Sequence, residues 1–144
     1  MSGFTLISDP DTTEYRNVRI ASQAYTIGDA VMQDRTSDAV DVVPATASST
    51  TVNIFGVAME TVTSSATQLL IAIVKPTQKW VTDSANTGNT NHNYQRMILT
   101  DKATVNNTGT DDTSVNAVAT QLGVKDASGK RIVVRFNAVA NVTA

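Results

Sequence analysis

Apolar and polar residues alternate along this chain in short runs, and each run is closed by Gly, Pro, Asn, Asp or Ser. A period of two with such punctuation predicts consecutive strands of an antiparallel sheet. Residues 14–20 set Tyr15, Asn17 and Arg19 against Arg16, Val18 and Ile20, as in a half-buried strand. The stretch 25–61 supplies three more runs, at 30–32, 39–43 and 52–59, separated by Gly28-Asp29, by the polar link 34–38, and by Pro44 with its following Ser/Thr cluster. Within the third run, Phe55-Gly56-Val57 puts a glycine inside a strand, which marks a bulge or a site where another backbone comes close.

The most apolar run, 68–74, predicts a central strand covered on both faces and ended by Lys75-Pro76. A brief strand follows at 79–83, and another opens at Tyr94 and extends to about residue 104. Residues 115–124 are ambiguous, because Val115, Val118, Ala119 and Leu122 also fit helical spacing; the Thr and Val content and the Gly123-Val124 step favour a strand. Ser128-Gly129 occupies a hairpin-turn position before a last strand at 131–142. The expected fold is all-β, an antiparallel β-sandwich or small β-barrel of about eight strands over residues 14–144. An extended N-terminal arm, 1–13, precedes it. The arm carries an apolar patch at Phe4, Leu6 and Ile7 that needs a partner, either a neighbouring subunit or the chain's own core.

Composition supports this picture. The 144 residues suit one domain, and 41% hydrophobic residues are enough for a core, whereas only 17% are charged. Thr and Val favour strands, and Asn and Ser favour turns. The net charge of −2 argues against a general nucleic-acid binder. It is unevenly placed: three basic and eight acidic residues up to position 60, eight basic and five acidic beyond it. No apolar run is long enough to span a bilayer as a helix, and no signal-peptide pattern opens the chain.

Candidate chemistry is sparse. The absence of cysteine removes disulfides, thiolate metal sites and Cys nucleophiles. The one histidine, His92, lies in the polar loop 84–93 and is expected to be solvated rather than metal-bound. Asp111-Asp112, the only adjacent acidic pair, is expected to be a solvated turn. No nucleophile elbow, phosphate-cradling loop or zinc-helix pattern occurs. The expectation is a non-enzymatic protein without cofactor or metal. Trp80, the only tryptophan, is expected in the core or in a subunit contact.

Four segments, GDAVMQ, AVDVVPATASSTTVNIFGVAMET, IAIVKPTQKWVTDSANTGNTNHNYQRMILT and QLGVKDASGKRIVVRF, together resemble the capsid decoration (cement or auxiliary head) proteins of tailed bacteriophages. The likeness covers residues 25–136 and lies in a Gly-Asp-x-Val opening strand, a Phe-Gly-Val-Ala strand, and a Trp-Val strand followed by an Asn-rich loop. It implies a β-tulip-like subunit, a homotrimer or sometimes a homodimer, made in the host cytoplasm and placed on the outer capsid surface of the virion. It also implies binding between major capsid protein subunits, with no nucleic acid or membrane partner, and an arm that reaches a neighbour. Phe4, Leu6, Ile7 and Trp80 are the expected partner contacts. Other tail, neck or fibre modules of a virion, and a carbohydrate- or host-surface-binding module using Trp80, Tyr94 and the Asn-rich loop, remain alternatives.

Overall fold

The period-two runs become strands gathered into two sheets in the computed structural model, which describes residues 2–8 and 12–138. In chain order, β1 (Thr5–Leu6) joins the second sheet. Strands β2 (Tyr15–Arg19), β3 (Ala30–Gln33), β4 (Val42–Pro44), β5 (Ile54–Ala58) and β6 (Gln68–Ile73) form the first, in spatial order β2-β6-β5-β3-β4. Then come β7 (Trp80–Ser84), β8 (Arg96–Met97), β9 (Leu99–Asp101), β10 (Thr104–Val105), β11 (Ala119–Asp126) and β12 (Arg131–Phe136). These build the second sheet in the order β8-β11-β12-β7-β10-β9, with β1 also on β7.

Sheet pairing is antiparallel except between β10 and β7, which run parallel. The ambiguous segment 115–124 resolves in part as a strand: 115–118 form a turn and irregular chain, and from Ala119 the chain runs as β11, paired to β12 across the turn that holds Ser128-Gly129. The expected single strand at 94–104 breaks at Ile98, so that β8 pairs with β11 while β9 pairs with β10. Pro44, expected to end a strand, lies within β4; an edge strand tolerates it because no neighbour needs its missing N–H. The far end of the expected last strand, 139–142, lies outside the described residues.

Two apolar clusters explain why the five-stranded sheet reads as apolar on both faces. Ala30, Ile54, Val57 and Ala72 face the second sheet and pack with Trp80, Val134 and Phe136. Val18, Val31, Val42, Phe55, Leu69 and Ile71 face the opposite way and pack on one another, because the sheet curls into a near-barrel around them. Tyr25 and Val62, linked by an isolated antiparallel bridge, help to fill that interior. The result is a five-stranded near-barrel packed against a second sheet that also turns back on itself, since its end strands β8 and β9 are separated only by Ile98; one core lies inside the barrel and one between it and the second sheet.

The parity switch between these cores occurs at a bulge. Val31 pairs with Gly56 while the next residue, Met32, pairs with Ile54, so Phe55 is the extra residue. Ile54 and Val57 therefore both face the second sheet, while Phe55 turns into the barrel. A Cβ on Gly56 would lie 2.6 Å from the Ala72 carbonyl oxygen, so Gly56 serves both the bulge and the close approach of β6.

Candidate functional site

The N-terminal segment is part of the chain's own fold. Phe4 is 3% exposed, and its ring lies 4.9 Å from that of Phe136, which meets Trp80 edge-on at 5.8 Å. Thr5 and Leu6 pair with Val81 and Trp80, and the Ile7 N–H donates to the Lys79 carbonyl at 2.9 Å. Gly3 donates its N–H to Asp83 Oδ2, and Arg131 bridges Asp83 and the Gly3 carbonyl. The segment supplies a strand that β7 lacks, because β10 covers only the far half of the same β7 edge, opposite Asp83 and Ser84.

The four expected contact residues thus part company. Phe4 and Trp80 are enclosed by the chain's own core, Leu6 is half-buried, and Ile7 is 51% exposed. A joint aromatic platform of Trp80 and Tyr94 has lost one member, since Trp80 is fully buried while Tyr94 is 76% exposed. Trp80 Nε1 is also enclosed without a hydrogen-bond partner.

What the segment leaves open is an apolar groove of about 270 Å³ between β1 and the barrel, lined by Leu6, Tyr15, Ile27 and Met59 over a floor that includes Phe4 and Ala58. Tyr15 and Ile27 are exposed at its walls, and Ile7 follows Leu6 in the chain. Apolar side chains gathered on a surface in this way mark a contact site for another protein. Sequence alternation could identify Tyr15 as outward-facing, but Ile27 and Met59 come from separate connections, and only the fold brings them to β1.

A second cleft, of about 450 Å³, opens at the barrel mouth, where Arg16, Arg19 and Arg35 meet Asp34, Asp38 and Asp41 above Phe55. The Arg16 guanidinium lies 6.0 Å from the Phe55 ring centre. Most of these charges are already engaged. Arg19 clasps Asp41, whose carboxyl is held below the usual range by that pairing. Asp34 is lowered by the Thr36 hydroxyl and N–H. Carboxylates kept ionised by their donors are poor proton donors at neutral pH, so this constellation favours structure over acid catalysis.

The polar loop after β7 folds into a 3-10 turn, Thr90–His92, capped by Asn89. Gln121, fully buried, pins it by donating to the Asn89 carbonyl and to Asn93 Oδ1, both at 2.9 Å. His92 is half-buried against Gly109 rather than solvated. Asp111 is exposed, as expected of a solvated segment, and it also clasps Arg96, which holds its carboxyl down to about 2. A separation of 15 residues through irregular chain leaves no periodic signal for that pair. Among the described residues no group of three or more His, Cys, Asp or Glu is placed to hold a metal ion, and no helix is long and apolar enough to cross a membrane. No protein-family model matches the chain, and no curated protein gives a significant match.

Proposed function

We propose that this protein is a structural virion component that decorates the outer surface of a phage capsid and stabilises it by binding between major capsid protein subunits, as a homo-oligomer. The reading rests on the likeness of residues 25–136 to capsid decoration proteins and on one structural observation. That observation is the apolar groove beside β1, with Tyr15 and Ile27 exposed at its walls and Ile7 exposed just past the end of β1, on an otherwise tightly hydrogen-bonded β scaffold. Such a scaffold suits the task. A binder that must resist strain on a shell needs a rigid body, preorganised contacts and many weak attachments that act together.

Within this reading β1 fixes the groove, and the exposed side chains supply the contact. The test is co-sedimentation of the purified protein with empty capsid shells. Wild-type chain is expected to bind saturably and to raise the temperature at which shells disrupt, while Ile7→Ser with Ile27→Ser binds weakly. Failure of the wild-type chain to bind the shells of its own phage would overturn the proposal.

A further inference from the structure

Residues 106–114, the first part of the segment that links β10 to β11, follow the outer edge of β8 without adding a strand to it. Its hydrogen bonds take up the edge's outward groups in turn. Asn106 donates its N–H to the Ile98 carbonyl at 2.9 Å, and Asp112 donates its N–H to the Arg96 carbonyl at 3.0 Å. The Arg96 N–H, which an added strand would otherwise engage, donates to Asp111 Oδ1 at 2.8 Å. The Arg96 side chain folds onto the same carboxylate, with Nη2 donating to Oδ2 at 2.6 Å. Midway, Gln95 Nε2 donates to the Gly109 carbonyl, and Gly109 has the left-handed backbone (φ 87°) that lets it pass close to His92.

The same constellation occurs on the other sheet. Arg19, at the end of edge strand β2, gives its N–H to Asp41 Oδ2 at 2.7 Å, accepts the Asp41 N–H at its carbonyl, and folds its guanidinium onto the Asp41 carboxylate. In both places an edge arginine has its backbone donor and its side chain held by one aspartate. At β2 the aspartate immediately precedes β4, the opposite edge strand of the five-stranded sheet. At β8 it belongs to an irregular strap, and an open cleft of about 490 Å³ lies between parts of that strap and Met97 and Ile98.

We propose that residues 106–114 are an edge cover whose latch is the Asp111 carboxylate, and that the cover keeps β8 from pairing with β8 of a second copy of this chain. An open strand edge is a template for another strand. β8 is two residues long, and β10 covers the same side of this run only from Leu99 onward, so at Arg96 the strap is what stands between the strand and a partner. Asp111 supplies the one charged attachment of the strap to the strand. Asp112 is occupied by the Ser114 N–H, and the His92 ring lies beside Gly109 of the strap.

The experiment compares wild type, Asp111→Ala and Asp111→Asn by amide hydrogen exchange and sedimentation velocity. Asp111→Ala is expected to speed exchange at the Arg96 amide by about tenfold and to add larger, concentration-dependent species to those of the wild type. Asp111→Asn, which keeps the shape of the side chain, is expected to fall between the two. Adding Arg96→Pro to Asp111→Ala removes the edge donor and is expected to abolish the larger species. Wild-type exchange and sedimentation in both Asp111 variants would overturn the proposal, as would association that Arg96→Pro leaves intact.

Discussion

Asp41 returns to Arg19 through both backbone and side chain. Its N–H donates to the Arg19 carbonyl at 2.9 Å, while its carboxylate accepts the Arg19 N–H and guanidinium, each at 2.7 Å. The two residues sit on opposite edges of the five-stranded sheet, so this contact is the seam that turns an open sheet into a near-barrel. Asp41→Ala is expected to loosen the seam, speeding amide exchange in β2 and β4 more than in β5 and β6.

The seam and the Arg96–Asp111 clasp also set an acid limit. Arg19 and its N–H hold the Asp41 carboxyl below its ordinary value of 3.8, and Arg96 takes that of Asp111 to about 2. A folded-state value below the unfolded one means stabilisation that is present above the ordinary value and lost as pH falls through the folded one. The melting temperature is therefore expected to fall between about pH 4 and pH 2. The double variant Asp41→Asn with Asp111→Asn should show a shallower fall over the same interval, measured by circular dichroism.

Tyr25 sets a second limit at the alkaline end. Burial, with Asp29 nearby, pushes its hydroxyl up to about 12. The raised value makes its contribution complete below pH 10 and lost as pH rises through 12. Ultraviolet titration is expected to show one tyrosine ionising in that late step, and Tyr25→Phe should remove it.

Residues 2–8 separate stability from binding. Phe4→Ala is expected to cost about 3–5 kcal/mol in denaturant unfolding, because its ring fills the layer between Phe136 and the barrel. Ile7→Ser, on an exposed side chain, should change stability by no more than about 0.5 kcal/mol while reducing capsid binding. A large stability loss in Ile7→Ser would contradict this division.

Gly56→Ala tests the bulge. The added methyl would meet the Ala72 carbonyl oxygen at 2.6 Å and Ile71 Cδ1 at 2.8 Å, so β5 and β6 must separate. The expected cost is about 1–3 kcal/mol by equilibrium unfolding.

The sequence carried the fold further than it carried the surface. Alternation marked the longer strands, because a covered strand must repeat its apolar residues. Gly56 was legible because only a glycine satisfies a bulge against a packed strand. The two-residue strand β1 and the breaks that divide the expected strand at 94–104 into β8, β9 and β10 were not, since two positions cannot establish a period. Phe4 and Leu6 could be seen to need a partner, but which partner depended on the vacant half of the β7 edge, a tertiary fact. The Arg19–Asp41 and Arg96–Asp111 clasps join residues 22 and 15 positions apart, and no local rule selects one aspartate over another. The groove likewise draws Tyr15, Ile27 and Met59 from three separate segments.

The proposed capsid role is most directly tested by cryo-electron microscopy of virions of the phage that this proposal requires as the source of the chain. The account predicts density of this two-layer β fold on the outer capsid surface, repeated at junctions between major capsid protein subunits, with the β1 groove facing the shell. Density confined to the tail, neck or fibres, or a capsid surface without it, would contradict the account.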